Sequence, residues 1–328
     1  MEVLSSEKNI ENEAESYVKK IIKEIGGLDN ASDSIDVDER EIPEKIFNIL
    51  SSREFTYLTK IKSQAYKKDI LGHIEKSYSN KTPLNLYLSL GGGYHARIKE
   101  ADDLNFDAGL GELLALLQMK KFITKTKPFY RFGIRFTIFI DNRCPEAANG
   151  VPVADTERYA GQFKNYIKKL NLTEEINIIL ESDIVSREEY ENKLKLMEAE
   201  FPIKETSGID YINACRFSNI KPGKDFLART QRFKAAVRVS RASVSEHVRK
   251  NNGIWLVQRA RESAYAFRSF PGGDSKTQCG EVALMHQGGR IVKPILVTSQ
   301  NFKDYKLYSI KLPEEEYILS KVMIAQKI

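Results

Sequence analysis

The sequence predicts an α/β protein, built on a Rossmann-like, mostly parallel sheet with flanking helices and a C-terminal, partly antiparallel β extension. Short apolar runs alternate with longer helical segments, and the runs lie at 84–90, 134–140 and 176–180. This alternation is typical of parallel sheets, because right-handed crossovers place successive strands side by side. Further short strands, separated by Gly-Gly pairs, follow towards the end of the chain, which is typical of antiparallel pairing.

Three parts are predicted along the chain. Residues 1–41 are expected to form an acidic helix and a linker, since apolar residues recur with a helical period over 13–25 ahead of a Gly-Gly pair. Residues 42–205 hold the α/β core. Residues 206–328 hold a basic helical segment and the β-rich part, and we expect them to belong to the same compact domain.

The overall composition excludes several classes of protein. The chain has 328 residues, of which 41% are hydrophobic and 29% charged, as in an ordinary globular protein with a sizeable core. Three widely spaced cysteines and four scattered histidines argue against a disulfide framework and against a metal site. No apolar run is long enough to span a membrane, and the acidic N-terminal part does not resemble a signal peptide. We therefore expect a cytoplasmic protein without membrane contact.

The stretch 83–117 carries the strongest functional signal. Leucines alternate with polar residues over 84–90, and this strand ends at three glycines that let backbone N–H groups approach a ligand closely. A loop with cationic and hydrogen-bonding side chains follows, before Glu112 opens a helix. The candidate ligand-binding residues of this loop are Gly92, Gly93, Tyr94, His95, Arg97 and Lys99.

Strand, glycine-rich loop and helix, in that order, form the layout of a ligand site at the carboxyl end of an open α/β sheet. The positive charge of Arg97 and Lys99 favours an anionic or phosphorylated ligand. Glycine triplets also occur in plain turns, and GGGYHAR matches neither the dinucleotide motif nor the phosphate-binding loop. The loop by itself leaves both interpretations open. Glu112 likewise is either a general base or amine anchor, or a carboxylate that stabilises a helix N-terminus.

Charged residues also follow the next two predicted strands. Asp141 and Arg143 come directly after 134–140, and Glu181 and Asp183 come directly after 176–180. Because α/β folds place ligand contacts at this edge of the sheet, Asp141 and Arg143 are candidate site residues. The structural alternative is an aspartate that caps or turns the chain.

The segment 221–268 is strongly basic. Such a segment either binds phosphate groups or nucleic acid, or forms the solvated face of a helix pair. We favour the helix pair, because charge alone does not define a site. Short strands are predicted at 254–257, 264–270, 281–286, 291–297 and 305–310, and a closing helix at 317–324.

Three groups of residues within 83–170 carry a resemblance to a known family. The first is the apolar strand and cationic loop that lead to Gly111-Glu112 ahead of an apolar helix. The second is the run from Tyr130 to Arg143, which joins YRFG, a buried strand and DNR. The third is GVPVAD at 150–155, at the start of a helix. In these features the chain resembles the isonitrile (isocyanide) synthase family, also called the pyoverdine/dityrosine biosynthesis family.

The chain departs from the family pattern at several positions. GGYHARIK replaces the family's lysine-containing loop, and the aspartate expected just before Gly111 is displaced to Asp107. Asn142 stands where the family has glycine. Near the end of the basic segment, Arg268 opens RSFP, which is similar to the family's Arg-x-Ser-x-His-Pro strand end but has Phe270 at the histidine position.

The resemblance implies an enzyme of specialised metabolite biosynthesis that condenses the amine of an amino acid with ribulose 5-phosphate, a phosphorylated ketose. It implies a carbon–nitrogen bond-forming transferase or lyase that uses no cofactor, with a partner oxygenase that often accompanies this family. Asp141 and Arg143 would hold the ammonium and the carboxylate of the amino acid. The catalytic candidates are Glu112, Asp141 and His95, and the substrate-binding candidates are Gly92, Gly93, Tyr94, Arg97, Lys99, Arg143 and Arg268.

Two alternative functions remain open. The basic segment 221–268 motivates a transferase that acts on a nucleotide or a nucleic acid. The changed loop motivates a non-catalytic, nucleic-acid-binding relative of the fold. Salt-dependent binding of nucleic acid would favour either alternative. Binding of a sugar phosphate that is lost in Arg97→Ala or Lys99→Ala would favour the enzyme.

Overall fold

The computed structural model describes residues 2–28, 38–58, 63–90, 108–149, 152–200, 226–257, 265–267, 281–297, 301–313 and 318–328. The helices are α1 (Glu2–Gly27), α2 (Ile42–Leu50), α3 (Ser63–Ser79), α4 (Leu110–Thr126), α5 (Arg143–Asn149), α6 (Val153–Lys169), α7 (Arg187–Glu200) and α8 (Phe226–Lys250). The strands are β1 (Thr56–Leu58), β2 (Leu84–Leu90), β3 (Ile134–Ile140), β4 (Ile176–Leu180), β5 (Ile254–Val257), β6 (Tyr265–Phe267), β7 (Glu281–Gln287), β8 (Arg290–Val297), β9 (Tyr305–Lys311) and β10 (Lys321–Lys327).

The central sheet is parallel throughout, with strand order β4–β3–β2–β5. The chain therefore adds β3 and β4 on one side of β2 and then crosses to add β5 on the other side. In open α/β sheets, ligands bind outside the carboxyl ends of the strands where the order reverses, which here lies between β2 and β5. The predicted fold class is confirmed.

Helices cover both faces of this sheet. On one face, Leu86 and Ile138 pack in the main core with residues of α4 and α6. On the other face, Tyr87 and Phe139 pack against Val244 of α8. The strands read as nearly continuous apolar runs because both of their faces are buried.

Helix α4 lies in the middle of the protein. Its side chains are buried around almost the whole helix, because the parallel sheet lies on one side of it and α1, α2 and β7 pack elsewhere. Strand β7 comes so close that a Cβ on Gly111 would lie 3.1 Å from Cγ2 of Val282. None of the described helices combines the length and the apolar character needed to cross a membrane.

The N-terminal helix is longer than expected and packs into the core. It begins at Glu2 rather than near residue 13, and it contacts α4 and β8. Its apolar stripe is buried in the main core, with Ile10, Ala14, Val18, Ile21 and Ile25 at its centre. The acidic composition of this part is that of the helix's outer face, so composition alone concealed its contribution to the core.

The C-terminal β extension forms a second sheet with strand order β8–β7–β10–β9, in which only β7 and β10 are parallel. Residues 254–257, predicted as a short strand, extend the parallel sheet as β5, beside β2. One expectation is corrected here. The closing helix predicted at 317–324 is wrong, because residues 321–327 form β10. A short apolar run that is buried on both faces has no clear period, so it fits a helix as well as a strand.

A small third sheet joins two distant parts of the chain. Strand β1 pairs antiparallel with β6, with Tyr57 opposite Ala266. Local sequence does not predict β1. Three residues are too few to show strand alternation, and this pairing depends on a partner about 200 residues away.

Candidate active site

Two carboxylates lie side by side at the carboxyl edge of the parallel sheet. Strands β3 and β4 are in parallel register, with Ile140 opposite Leu180, so that the next residues, Asp141 and Glu181, are neighbours. Glu181 is fully buried, whereas Asp141 is partly exposed. This geometry places an acidic pair at the carboxyl edge of the sheet, on the β3 side of the switch point between β2 and β5.

The two carboxylates are bound differently. Oδ1 of Asp141 accepts a hydrogen bond from the N–H of Cys144 at 3.1 Å, which caps the start of α5. Oε2 of Glu181 accepts one from the N–H of Arg143 at 3.2 Å. Within the part of the chain that the structure describes, Oε1 of Glu181 has no hydrogen-bond partner. Because a buried acceptor without a donor is costly, this oxygen needs an explanation.

Burial raises the pKa of Glu181 well above its usual value, and the neighbouring charge of Asp141 raises it further. Ser240 and the backbone N–H of Arg143 lower it, but their effect is smaller. The net direction is the one expected for a carboxyl group that lies in an apolar environment beside another carboxylate. Glu181 therefore keeps a proton at a pH at which an exposed glutamate has lost it.

A tyrosine and a serine from two helices cover the pair. The hydroxyl of Tyr190, on α7, donates to the carbonyl oxygen of Ala236 at 3.0 Å and lies 3.1 Å from Oγ of Ser240. Burial raises the pKa of Tyr190, and the nearby Cys144, Glu181 and Asp141 raise it further. Tyr190 thus stays neutral and adds no charge to the cluster.

Asn142 joins the two strand ends that carry the acidic pair. Its Nδ2 donates to Oγ of Ser182 at 2.9 Å, and its Oδ1 accepts from the N–H of Ser182 at 2.9 Å. Asn142 is almost fully buried, at 1% exposure. This reciprocal pair of hydrogen bonds sets the separation of Asp141 and Glu181, a function that a glycine at 142 would lack.

Arg143 lies beside the acidic pair, at the start of α5. Its guanidinium is 15% exposed and its Nη1 lies 3.4 Å from Oε2 of Glu146. Glu146 also pairs with Arg187 at 3.0 Å. Nε of Arg143 has no hydrogen-bond partner among the described residues. The guanidinium therefore has donors left for a carboxylate, which it can bind in two-point geometry.

Glu112 lies on the opposite face of the sheet edge, where α4 begins. Its Oε2 accepts from the N–H of Gly109 at 2.7 Å, and its Oε1 accepts from the hydroxyl of Tyr159 at 2.8 Å. The same segment is tied to α6 by a hydrogen bond from the Tyr166 hydroxyl to the carbonyl oxygen of Ala108 at 2.7 Å. Both oxygens of Glu112 thus have a local partner, as a helix-capping carboxylate would. Its catalytic role stays a prediction.

The remaining predicted site residues lie outside the described residues. These are Gly92, Gly93, Tyr94, His95, Arg97, Lys99 and Arg268. The structure does show where their loop leaves the sheet, because Leu90 ends β2 directly beside Ile140 of β3. No cluster of histidine, cysteine or carboxylate side chains suited to a metal ion occurs within the described ranges.

The basic segment contributes a structural helix, at least over 226–250. Arg232 of α8 donates to the carbonyl oxygen of Ala147 at 2.7 Å. It also pairs with Glu191 and Glu198 of α7, both at 3.1 Å. Part of the positive charge therefore serves to join α7 to α8, in line with the helix-pair interpretation.

Sequence reasoning missed the residues that complete this acidic site. Glu181 was visible as a carboxylate after a predicted strand, the same signal that selected Asp141, but it was not chosen. Tyr190 and Ser240 carry no such signal, because their place depends on how α7 and α8 pack against the strand ends.

No protein-family model matches the sequence, and no curated protein matches it significantly. PvcA from Pseudomonas aeruginosa has a similar structure, which aligns over 86% of this chain and 99% of PvcA with a TM-score of 0.63 and 12% identity. The chain shares the fold of PvcA. A tyrosyl-tRNA synthetase from Archaeoglobus fulgidus aligns over 62% of this chain and 53% of its own, with 12% identity and a TM-score of 0.36. A tryptophanyl-tRNA synthetase from Plasmodium falciparum aligns over 76% and 68%, with 12% identity and a TM-score of 0.31. TM-scores this low support no argument about fold or function.

Proposed function

We propose that this protein is an isonitrile-synthase-like enzyme of specialised metabolism, which joins the amine of an amino acid to ribulose 5-phosphate. The observation that carries the proposal is the PvcA-like fold, since such a fold suggests an enzyme of this type. The sequence resemblance supports the same proposal from separate observations. The parts of its motifs that follow β2 and β3 and that begin α4 lie at the carboxyl edge of the parallel sheet, whereas YRFG precedes β3 and GVPVAD leads into α6.

The acidic edge suits the amino-acid half of this reaction. Asp141 is partly exposed and can accept a proton from, or hold, the reacting amine. Arg143 lies two residues further on and offers its guanidinium to the substrate carboxylate. In this proposal the two groups orient the amine towards a carbonyl carbon, which converts a bimolecular encounter into a reaction between fixed partners.

The glycine-rich loop after β2 suits the phosphorylated half. Backbone N–H groups of Gly92 and Gly93, with Tyr94, would approach the ligand, while Arg97 and Lys99 supply positive charge to the phosphate. We assign His95 to proton transfer on the sugar. Glu112 either binds the reacting amine or serves only as the cap of α4. Arg268, which follows β6, would add a second phosphate contact.

The decisive experiment is mass spectrometry of the purified protein incubated with ribulose 5-phosphate and a mixture of amino acids. The expected result is loss of one amino acid and appearance of a product with one extra carbon on its nitrogen. This result would identify the reaction and the amino acid together. Absence of turnover for every amino acid, in protein shown to be folded, would contradict the proposal.

Variants then test the assigned groups separately. Arg143→Ala should raise KM for the amino acid, whereas Arg97→Ala and Lys99→Ala should raise KM for the sugar phosphate, each by about ten-fold or more for a lost charged contact. Arg131→Ala is a matched control, because Arg131 is 68% exposed and pairs only loosely, at 3.6 Å, with Glu39. Unchanged sugar-phosphate binding in Arg97→Ala and Lys99→Ala would disprove the loop assignment.

A further inference from the structure

One carboxyl oxygen of Glu181, Oε1, is buried without a hydrogen-bond partner among the described residues. Glu181 is 0% exposed, so water does not solvate it. Its Oε2 has the N–H of Arg143, but within the described residues no donor reaches its Oε1. The groups nearest its carboxyl are the carboxylate of Asp141 and the hydroxyl of Ser240. If both carboxyl groups were ionised, the buried Oε1 of Glu181 would face the Asp141 carboxylate, and neither group could donate a hydrogen bond to the other.

A single proton removes this conflict. A proton on Oε1 turns the orphan acceptor into a donor, and the adjacent Asp141 carboxylate is the acceptor within reach. The shared proton also cancels one of two negative charges on adjacent strand ends, where ionising both carboxyl groups is costly. We propose that Asp141 and Glu181 share one proton, and that Glu181 acts as a positioning residue that supplies and recovers this proton through Asp141. The inference rests on the proposed function, because it names the proton donor for that condensation.

The described groups around Glu181 fit this assignment. Asp141 and the backbone N–H of Arg143 act on it from β3 and α5, and the neutral hydroxyl of Ser240 acts on it from α8. Tyr190 of α7, also neutral, lies in the same cluster, with Cys144 near its hydroxyl. Among these, the charged side chain that acts on its pKa is that of Asp141, and the effect is repulsive. No ion pair within the described residues neutralises Glu181, so a proton is the remaining way to balance its charge.

The condensation needs such a proton twice. The amine nitrogen forms a bond to the carbonyl carbon, the C=O π electrons move to oxygen, and that oxygen takes the shared proton. The nitrogen then returns one proton to the pair. The pair protonates the new hydroxyl, which leaves as water while the nitrogen lone pair forms C=N, and the nitrogen returns its last proton. The pair ends as it began, and no oxidant or reductant is consumed.

The first test measures the proton directly and does not depend on turnover. Infrared spectra of the full-length protein at neutral pH should contain the C=O stretch of a buried protonated carboxyl group, and Glu181→Gln should remove it. Glu175→Gln is the control, because Glu175 is held by Lys120 as an ion pair and should leave the band unchanged. If Glu181→Gln does not fold, the parent protein can be labelled with ¹³C at its glutamate carboxyl carbons and titrated by NMR. One glutamate carboxyl group should then remain protonated at neutral pH. A parent spectrum without either signal overturns the proposal.

The second test separates proton supply from simple structural support. For the parent enzyme we expect kcat to fall on the alkaline side, as the pair loses its last proton. In Glu181→Gln this alkaline limb should disappear and kcat should fall about 10²-fold, with KM unchanged, as for the loss of a general acid. Glu181→Asp should restore part of kcat and should restore the fall of kcat at alkaline pH. If kcat of Glu181→Gln fell by the same factor at every pH, Glu181 would have a structural role only, and the proposal would be overturned.

The two tests distinguish failure of this inference from failure of the proposed function. A protonated Glu181 without turnover of any amino acid would uphold the proton pair and refute the reaction. Turnover without a protonated Glu181 would uphold the reaction and refute the pair.

Discussion

The two ends of the parallel sheet contain buried charges in opposite arrangements. At the amino end, Lys120 of α4 donates to both oxygens of Glu175 at 2.9 and 2.7 Å, just ahead of β4. At the carboxyl end, beyond the same strand, Glu181 lies beside Asp141 and leaves one oxygen without a donor among the described residues. One end joins unlike charges with full hydrogen bonding, and the other brings like charges together.

Under the proposed function, this contrast separates an end that stabilises the fold from an end that carries the chemistry. A buried charge with a matched partner keeps a fixed protonation state and favours one packing arrangement. Like charges in a buried site destabilise the fold unless a proton intervenes, and they shift pKa values towards those needed for proton transfer. A natural fold tolerates such a conflict mainly where function requires it.

The largest expected effect lies at the amino end. Lys120→Met leaves Glu175 without its cation, and we expect the free energy of unfolding to fall by about 3 kcal/mol, at the low end for a broken buried pair because Glu175 is 30% exposed. Urea unfolding at neutral pH measures this change. Combining Lys120→Met with Glu175→Leu should recover much of the loss. A loss below about 1 kcal/mol would mean that the amino-end pair is energetically like a surface pair.

At the carboxyl end the stability should depend on pH in a defined direction. The pKa of Glu181 is raised in the folded protein above the value of about 4.3 in the unfolded chain. The folded state therefore binds the proton more tightly, so the contribution of Glu181 to stability is greatest below pH ~4 and is lost as pH rises through the folded pKa. The loss is about 1.4 kcal/mol for each unit between the two pKa values.

Glu181→Gln removes this titration without removing the side chain. We expect the variant to unfold at a higher temperature than the parent at pH 8, with a flatter profile of melting temperature between pH 5 and 8. Glu188→Gln is the control, since Glu188 is exposed on α7. Parallel profiles for Glu181→Gln and the parent would show that Glu181 does not carry the proton, and the contrast between the two ends would fail.

Glu112 offers a smaller test within the carboxyl edge. Unlike Glu181, it has a donor on each oxygen, so it resembles the amino-end pair in being satisfied. Tyr159→Phe removes one donor and should cost about 1 kcal/mol in chemical unfolding, because solvent can partly replace the hydroxyl. A double-mutant cycle with Glu112→Gln isolates this bond. A coupling energy near zero would show that the Tyr159 hydroxyl does not stabilise the Glu112 carboxylate, and Glu112 would then resemble Glu181.

The smallest effect is expected for an exposed ion pair on α8, which serves as the reference for the predictions above. Lys250 pairs with Glu246 at 2.8 Å along α8, but the two side chains are 69% and 47% exposed. Lys250→Ala should change the free energy of unfolding by no more than about 0.5 kcal/mol, because solvent screens the pair. Its melting curve should be almost unchanged. A larger loss of unfolding free energy would mean that exposed ion pairs also stabilise this fold. Burial would then not explain the difference between the two ends of the sheet.

Local sequence determined the regular elements and the position of the carboxylates along the chain. The apolar runs at 84–90, 134–140 and 176–180 form β2, β3 and β4 at those positions. Asp141 and Arg143 follow β3 at the carboxyl edge, as their place after a buried run indicated. These features depend on residues a few positions apart, and side-chain period and strand ends are visible at that range.

Only the tertiary structure decided which groups meet. Strand β5 lies beside β2 because the chain crosses the sheet after β4, and no local pattern records that crossing. Strand β10 was mistaken for a helix because the side chains that bury both of its faces come from elsewhere in the chain. Tyr190 and Ser240 reach the acidic pair from two helices about 50 residues apart. The protonation of Glu181 depends on that enclosure, since burial and a neighbouring charge, rather than sequence, set its pKa.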